Sequence, residues 1–289
     1  MAELKYDKYV VTELKTPDFP EEFVTRYNEF ARRILWMDAN VVEGAFQMNC
    51  SWYMKPSRHA TESHTHNVDE ILGFFGSDPV NPYDLGGEVE LWLEGEQHII
   101  TRTSMVFIPA GMDHCPLIIR RVDRPIFHFS TVLAGSYVQG REGEPVKYES
   151  KDAEYIVSEL KIPEEKQKIA AEYAKYATRI LWLDENVVEG AFHMNTAWYL
   201  KAGATLEDAP HTHESDEIIG FFGSNPDDRY DLGGEIEIWM EDEQYILNRT
   251  TMLFVPAGLK HCPLTIRRVD RPIFHFTTVP GGQYIKDLK

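Results

Sequence analysis

Residues 64–79 read HTHNVDEILGFFGSDP, and residues 211–226 read HTHESDEIIGFFGSNP. The likeness covers most of the chain, because NVVEGAF, YDLGGE, PAG and RRVDRPIFHF also occur twice, 146 or 147 residues apart. A repeat of this length has the size of a whole domain and far exceeds the repeating units of solenoid proteins. The chain therefore contains two copies of one domain. The charged stretch 140–152 predicts a boundary between them, which gives domains at 1–147 and 148–289.

Composition and charge narrow the class of protein. The hydrophobic share of 43% is typical of a folded chain, while the net charge of −18 argues against nucleic-acid or anionic-membrane partners. The sequence has no apolar run of membrane-spanning length, and its first residues are too charged for a signal peptide. The odd number of cysteines, 3, is typical of a reducing compartment. We therefore expect a cytoplasmic location.

Hydrophobic patterning predicts one helix and many strands in each repeat. In the first repeat Phe23, Tyr27 and Phe30 recur at helical spacing, and the second repeat has the same pattern. We expect amphipathic helices at about 20–36 and 163–182. The remaining segments, such as EVELWLEGEQHII, alternate polar and apolar residues or are short β-branched and aromatic runs between Pro and Gly. This pattern predicts an all-β sandwich or barrel.

Histidine and glutamate residues recur at the same spacing in both repeats. In a strand, side chains two residues apart share a face, so His64 and His66 point the same way, and Glu70 joins them if the strand continues. His114 follows Glu70 by 44 residues, and the second repeat has the same interval. Three imidazoles and a carboxylate that converge predict a site for a divalent transition metal. The predicted ligands are His64, His66, Glu70 and His114 in one set, and His211, His213, Glu217 and His261 in the other.

These motifs resemble those of the cupin superfamily. Its first motif, HxH followed by three or four residues, a glutamate and later a glycine, is matched at 64–76 and 211–223. Its second motif, PxGxxH, is matched at 109–114 and 256–261. The glycine that usually begins each motif and the asparagine that closes the second are absent.

The resemblance implies a bicupin, with two tandem double-stranded β-helix (jelly-roll) barrels, each preceded by its amphipathic helix. It implies that all the predicted ligands lie inside the barrels and hold two divalent ions per chain. Fe2+ or Mn2+ is favoured, while Zn2+, Ni2+, Co2+ or Cu2+ would also suit the ligands.

A site of this kind leaves coordination positions open, which favours an enzyme over a structural metal site. We expect a dioxygenase or decarboxylase type of activity, that is, an oxidoreductase or a lyase, on a small oxygenated acid or carbonyl compound. The alternatives are a non-catalytic bicupin that binds a metal or small ligand, and a sugar or ketoacid isomerase. The expected partner is a small molecule, and association of the chain into homo-oligomers is possible.

Further residues are candidates for the pocket around the metal. Asn49 and Asn195 lie on the strand that enters the first motif, and His128 and His275 recur in PIFHF. The histidines could orient a ligand carboxylate, or they could be hydrogen-bonded inside the barrel wall.

Insertions at 77–87 and 224–234 separate the two motifs. Because they are long and rich in Pro, Gly and Asp, they predict either a lid over the pocket or an oligomer contact.

Overall fold

The computed structural model describes residues 4–57, 61–136, 152–162, 167–204 and 209–287. The boundary stretch predicted at 140–152 lies, up to residue 151, outside the described residues.

The elements follow in chain order. Up to the end of the first repeat they are β1 (Val10–Val11), α1 (Glu21–Phe30), β2 (Ala31–Met37), β3 (Gln47–Tyr53), β4 (Glu70–Gly76), β5 (Asp84–Leu93), β6 (Glu96–Arg102), β7 (Ser104–Ile108), β8 (His114–Val122) and β9 (Ile126–Val132). They continue with β10 (Ile156–Val157), α2 (Gln167–Tyr173), β11 (Ala177–Leu183), β12 (His193–Tyr199), β13 (Gly203–Ala204), β14 (Glu217–Gly223), β15 (Asp231–Met240), β16 (Glu243–Arg249), β17 (Thr251–Val255), β18 (His261–Val269) and β19 (Ile273–Val279). Short 3-10 turns at Asp7–Tyr9 and Asp152–Tyr155 precede β1 and β10.

The strands form two compact units, each of antiparallel sheets around its own apolar core. Residues Leu14–Glu159 form the first-repeat barrel, with sheets in the order β10-β7-β4-β9-β3-β2 and β6-β5-β8. Its core includes Phe74, Leu91 and Ile119, all fully buried. Burial of such side chains is the main stabilising contribution to a fold of this kind. The expectation of an all-β barrel is confirmed.

The second-repeat barrel combines Met1–Glu13 with Leu160–Lys289. Its sheets run in the order β1-β17-β14-β19-β12-β11 and β13-β18-β15-β16. Phe221, Ile238 and Ile266 occupy its core. The two barrels thus repeat one architecture, as the duplicated sequence predicts.

The short strands that precede the helices, β1 and β10, are the leader strands of the two repeats. Each of them pairs in the barrel of the other repeat, contrary to the division of the sequence into domains. Val10 and Val11 of β1 pair with Leu253 and Met252 of β17 in the second-repeat barrel. The corresponding strand β10 pairs with β7 in the first-repeat barrel. The compact units therefore differ from the division at 1–147 and 148–289. The leaders read YVVTEL and YIVSEL, so the sequence holds no signal that says which barrel each one joins.

The helices are shorter than predicted. α1 ends at Phe30 and α2 at Tyr173, and residues 31–36 and 177–182 of the predicted helices belong to the strands β2 and β11. The ILW run in both strands is β-branched and aromatic, and its pairing with β3 and β12 prevails over the helical spacing. Among the described residues, no helix is long and apolar enough to cross a membrane.

Close approach of two strands explains the glycine that ends the FFG segment. A Cβ atom built on Gly76 would lie 1.9 Å from the carbonyl oxygen of Asp84, where β5 begins. At Gly223 the same atom would lie 1.8 Å from the oxygen of Asp231. Only glycine allows the two backbones to approach this closely. Glycine is therefore required where the end of β4 lies against the start of β5, and where the end of β14 lies against the start of β15.

Candidate metal centres

The first predicted ligand set is brought together by a backbone bridge rather than by one continuous strand. His64 and His114 form an isolated antiparallel bridge, with N–H to carbonyl distances of 3.0 Å in both directions. Glu70 is the first residue of β4, and the segment between His66 and Glu70 is not a strand. The prediction that strand alternation would align His64, His66 and Glu70 was therefore wrong in its mechanism. The side chains nevertheless converge.

The geometry of the first cluster is compact and buried. The imidazole centroids of His64, His66 and His114 lie 4.3 to 5.1 Å apart. Glu70 Oε2 lies 3.3 Å from His114 Nε2 and 3.6 Å from His66 Nε2. None of these side chains is more than 5% exposed. The donor atoms of His64, His66 and His114 lie within 4.8 Å of one another, and the Glu70 carboxylate adjoins two of these imidazoles.

The second cluster repeats this arrangement. His211 bridges His261, and the three imidazole centroids lie 4.3 to 5.2 Å apart. Glu217 Oε2 lies 2.9 Å from His261 Nε2 and 3.4 Å from His213 Nε2. The sulfur of Cys262 also lies within 4.8 Å of ligand atoms on His211 and His261. Cys262 follows the predicted ligand His261 directly in the chain, a position that the ligand spacing does not single out.

Backbone carbonyls fix the orientation of most of the imidazoles. The Nδ1 atoms of His64, His114, His211 and His261 lie 2.7 to 3.1 Å from the carbonyl oxygen two residues earlier. His213 Nδ1 instead lies 2.5 Å from the carbonyl oxygen of Ile285. In a neutral imidazole this contact makes Nδ1 the donor and leaves the lone pair of Nε2 facing the cluster.

The donor atoms fit a bound cation. Glu70 Oε2 and His114 Nε2 are fully buried and close together, but they lack hydrogen-bond geometry. In the second cluster, too, buried atoms lack a hydrogen-bond partner among the described residues: Glu217 Oε2 and the Nε2 atoms of His211 and His261. Burying polar atoms without a partner costs free energy, which a divalent ion at the centre would offset. Three nitrogens and one oxygen form a donor set that suits transition metals.

The electrostatics of the clusters keep the carboxylates charged and act unequally on the imidazoles. Burial alone would raise the pKa of Glu70 and Glu217, but the adjacent imidazoles hold both below the usual value. Burial lowers the pKa of His64, and it lowers the pKa of His211 to about 3, so these two imidazoles are neutral at neutral pH, as metal binding requires. Burial would also lower the pKa of His114 and His213, but the neighbouring carboxylates of Glu70 and Glu217 raise both above the usual value.

A cavity of about 60 Å³ adjoins the second cluster inside the second-repeat barrel. Tyr284 donates a hydrogen bond from its hydroxyl to Glu217 Oε1 at 3.0 Å. The lining consists of ligand residues, aromatic and apolar side chains, and several polar groups: Tyr173, Arg179, Trp182, Asn195, Tyr199, His211, Glu217, Ile219, His261, Cys262, Leu264, His275, Thr277, Tyr284 and Lys286. This lining can hold a small polar molecule beside the cluster.

The predicted asparagines are buried on β3 and β12. Asn195 lines the cavity, accepts a hydrogen bond from Arg179 at 3.2 Å and contacts His193 Nε2 at 3.0 Å. Asn49 is 7% exposed, and its Oδ1 atom has no hydrogen-bond partner among the described residues. The structure therefore places Asn195 beside the second cluster.

His128 and His275 occupy the barrel wall. Their Nδ1 atoms lie 2.9 and 3.0 Å from the carbonyl oxygens of Gly73 and Gly220. Each ring is stacked between a tyrosine and a phenylalanine. Burial lowers their pKa values to about 4 and about 3. These contacts agree with the alternative of a hydrogen-bonded wall histidine, although His275 also lines the cavity.

Sequence reasoning missed three other residues of the cavity. Arg179 lies in the stretch predicted to be helical, so its position on β11 could not be foreseen. Tyr284 has a counterpart, Tyr137, at the same position of the first repeat, and this recurrence could have marked it as a candidate. Lys286 corresponds to Gln139, so the duplication gives no hint of it.

Comparisons with known proteins were made at the level of sequence and of structure. No family model and no curated protein matches the sequence. AerE from Microcystis aeruginosa matches the fold with a TM-score of 0.50 at 13% identity, over 86% of this chain and 92% of its own. Oxalate decarboxylase from Bacillus subtilis matches with a TM-score of 0.56 at 12% identity, over 89% and 74%. A second structure of that enzyme, whose Mn(II) centres were studied, gives 0.54 over the same shares. At these identities the likeness concerns the fold, and this chain has the fold of the cupins in its two-domain form, the bicupin.

Proposed function

We propose that this chain is a metal-dependent enzyme that acts on a small oxygenated acid or carbonyl compound. The observation that carries the proposal is that each barrel buries a cluster of imidazoles against a carboxylate, with a cavity beside the second cluster. A purely structural metal site has no need of an adjoining cavity lined by polar groups.

The proposed ligands of the first ion are His64, His66, Glu70 and His114. Those of the second ion are His211, His213, Glu217 and His261. Fe2+ and Mn2+ are the favoured ions, and when bound such an ion supplies Lewis acidity or dioxygen activation. The fold supports this choice, because Bacillus subtilis oxalate decarboxylase, named for a decarboxylation, has Mn(II) centres.

The chain's own groups prepare the second site for a polar substrate. The lowered pKa of Glu217 keeps its carboxylate charged, and the Tyr284 hydroxyl hydrogen-bonds to the carboxylate oxygen Oε1. Ile219 and Leu264 line the cavity beside these polar groups. Apolar surroundings of this kind strengthen the electrostatic interactions of adjacent charged groups. We propose that the reaction is of the dioxygenase or decarboxylase type.

The test begins with metal analysis of freshly purified protein, followed by oxygen-uptake and carbon-dioxide-release screens on small acids and carbonyl compounds. Replacing both glutamates, Glu70→Gln and Glu217→Gln, should abolish turnover while the fold is retained. The control is Glu88→Gln with Glu235→Gln, because these half-buried glutamates form ion pairs with Arg120 and Arg267 and do not belong to the clusters.

Two results would contradict the proposal. A metal-loaded protein that binds a small ligand tightly without converting it would be a non-catalytic binding bicupin. Turnover that only rearranges a sugar or ketoacid, without oxygen uptake or carbon dioxide release, would indicate an isomerase.

A further inference from the structure

The cavity of the second-repeat barrel contains more cationic than anionic side chains. Arg179 and Lys286 line it, and Glu217 is the carboxylate among its described lining residues. Glu217 lies 2.9 Å from His261 Nε2, so its charge is directed at the cluster. With a divalent ion present, the cavity would carry a clear excess of positive charge. Such a cavity selects anions.

Arg179 is held in place by neighbouring side chains. Its guanidinium lies 4.6 Å from the ring centroid of Tyr173 and 5.2 Å from that of Trp182. It also donates a hydrogen bond to Asn195 Oδ1 at 3.2 Å. A guanidinium fixed on aromatic faces loses little entropy when it binds a carboxylate, and its planar donors match two carboxylate oxygens.

Lys286 is positioned by its chain neighbours, each of which contacts the segment that carries the ligands. Tyr284 hydrogen-bonds to Glu217, and the Ile285 carbonyl accepts a hydrogen bond from His213 Nδ1. Asp287 forms a backbone bridge with Thr212. The ammonium of Lys286 lies 5.2 Å from the ring centroid of Tyr284, which also lines the cavity.

We propose that Arg179 and Lys286 form a carboxylate-binding subsite. The anion that binds in the second-repeat barrel would then be the carboxylate of a small acid. A second oxygen of that acid would face the histidine cluster. This inference rests on the proposed function, because it assumes that the cluster holds the ion that meets this oxygen. The cavity volume of about 60 Å³ is small, which favours an acid of only a few carbon atoms. At the position of Lys286 the first repeat has the uncharged Gln139, so the subsite is assigned to the second repeat.

The test uses the full-length, metal-loaded protein and a matched pair of probes. Glycolate carries one carboxylate and one hydroxyl, and glycolamide is its neutral counterpart of nearly the same shape. Isothermal titration calorimetry should show that glycolate binds at least about tenfold more tightly than glycolamide. Lys286→Gln and Arg179→Gln should each weaken glycolate binding about tenfold, with glycolamide binding and metal content unchanged. Lys175→Gln removes an exposed charge that is paired with Glu172, and it should leave both affinities unchanged.

The outcomes separate this inference from the proposed function. Equal binding of the two probes, no binding of glycolate, or unchanged glycolate affinity in Lys286→Gln would overturn the carboxylate subsite. Lys286→Gln decides the matter even if Arg179→Gln does not fold, because Lys286 lies in the tail outside the strands. Charge-dependent glycolate binding in a protein that converts no small acid would uphold the subsite and contradict the proposed function. Loss of the bound metal without loss of glycolate binding would also contradict the proposed function.

Discussion

The pairing of the leader strands predicts that a substitution in the first repeat destabilises the barrel of the second. Val11 of β1 is 6% exposed and pairs with Met252 of β17. Val157 of β10 is also 6% exposed, and it pairs with Met105 of β7. The two valines therefore form a matched pair. Val11→Ala should loosen β17, and Val157→Ala should loosen β7.

The size of the effect follows from the burial. Each substitution removes two buried methyl groups, at about 0.8 kcal/mol each, and adds the cost of the small cavity that remains. The total is about 2 kcal/mol. Since about 1.4 kcal/mol corresponds to a factor of ten, opening of the affected strand should become roughly 30-fold more frequent.

Amide hydrogen exchange measured by mass spectrometry can localise this change. Under conditions where the exchange rate reports the equilibrium of opening, Val11→Ala should speed exchange in peptides covering Thr251–Val255. Exchange in peptides covering Ser104–Ile108 should stay at the wild-type rate, and Val157→Ala should give the reverse pattern. Faster exchange in β7 caused by Val11→Ala, with β17 unaffected, would refute the strand pairing and restore the division at 1–147 and 148–289.

Three further predictions concern the metal clusters and the barrel walls. His66→Ala and His213→Ala should each remove close to one equivalent of metal, measured by elemental analysis, and full retention in either variant would show misassigned ligands. Tyr284→Phe removes the hydroxyl bonded to the second glutamate, so metal affinity at that site alone should fall about tenfold in a competitive chelator titration. Equal weakening at both sites would contradict this role. Because the folded-state pKa values of His128 and His275, about 4 and about 3, lie below the ordinary 6.5, the unfolded chain takes up protons first as the pH falls below 6.5. Each histidine should therefore cost the metal-free protein about 2 kcal/mol between pH 7 and pH 5 in urea unfolding, and His128→Gln should flatten this dependence. An unchanged slope in that variant would contradict the assignment.

The ligand clusters could be predicted from the sequence because their geometry is encoded locally and twice. Three residues of each set lie within one short motif, and the fourth follows a PAG turn at a fixed interval. What the sequence could not give was the way they converge. His64 reaches His114 through a backbone bridge, and the chain leaves the strand conformation before Glu70. The predicted ligands therefore lie close together in the fold although the strand continuation on which the alignment of Glu70 depended is absent.

The helix ends and the leader strands could not be predicted because they depend on tertiary pairing. Ile34 continues the helical spacing of Phe30, yet it lies in β2, which pairs with β3. Local periodicity cannot reveal that a partner strand is available. The leaders are nearly identical in sequence, so only the folded chain shows which barrel each one completes.

The two clusters keep the same geometry, and the way in which the motifs fold explains why. Four of the histidines direct Nδ1 to the carbonyl two residues earlier, so their orientation is set within the motif itself. The positive charges of the second cavity come from elsewhere, Arg179 from β11 and Lys286 from the C-terminal tail. Substitutions in these distant segments can therefore change what the cavity binds without moving the ligand atoms. A duplicated chain built in this way can hold a metal in both repeats and distinguish the repeats by substrate. The sequence difference between Lys286 and Gln139 is of this kind, because it changes the charge of a position that lies outside the histidine motifs.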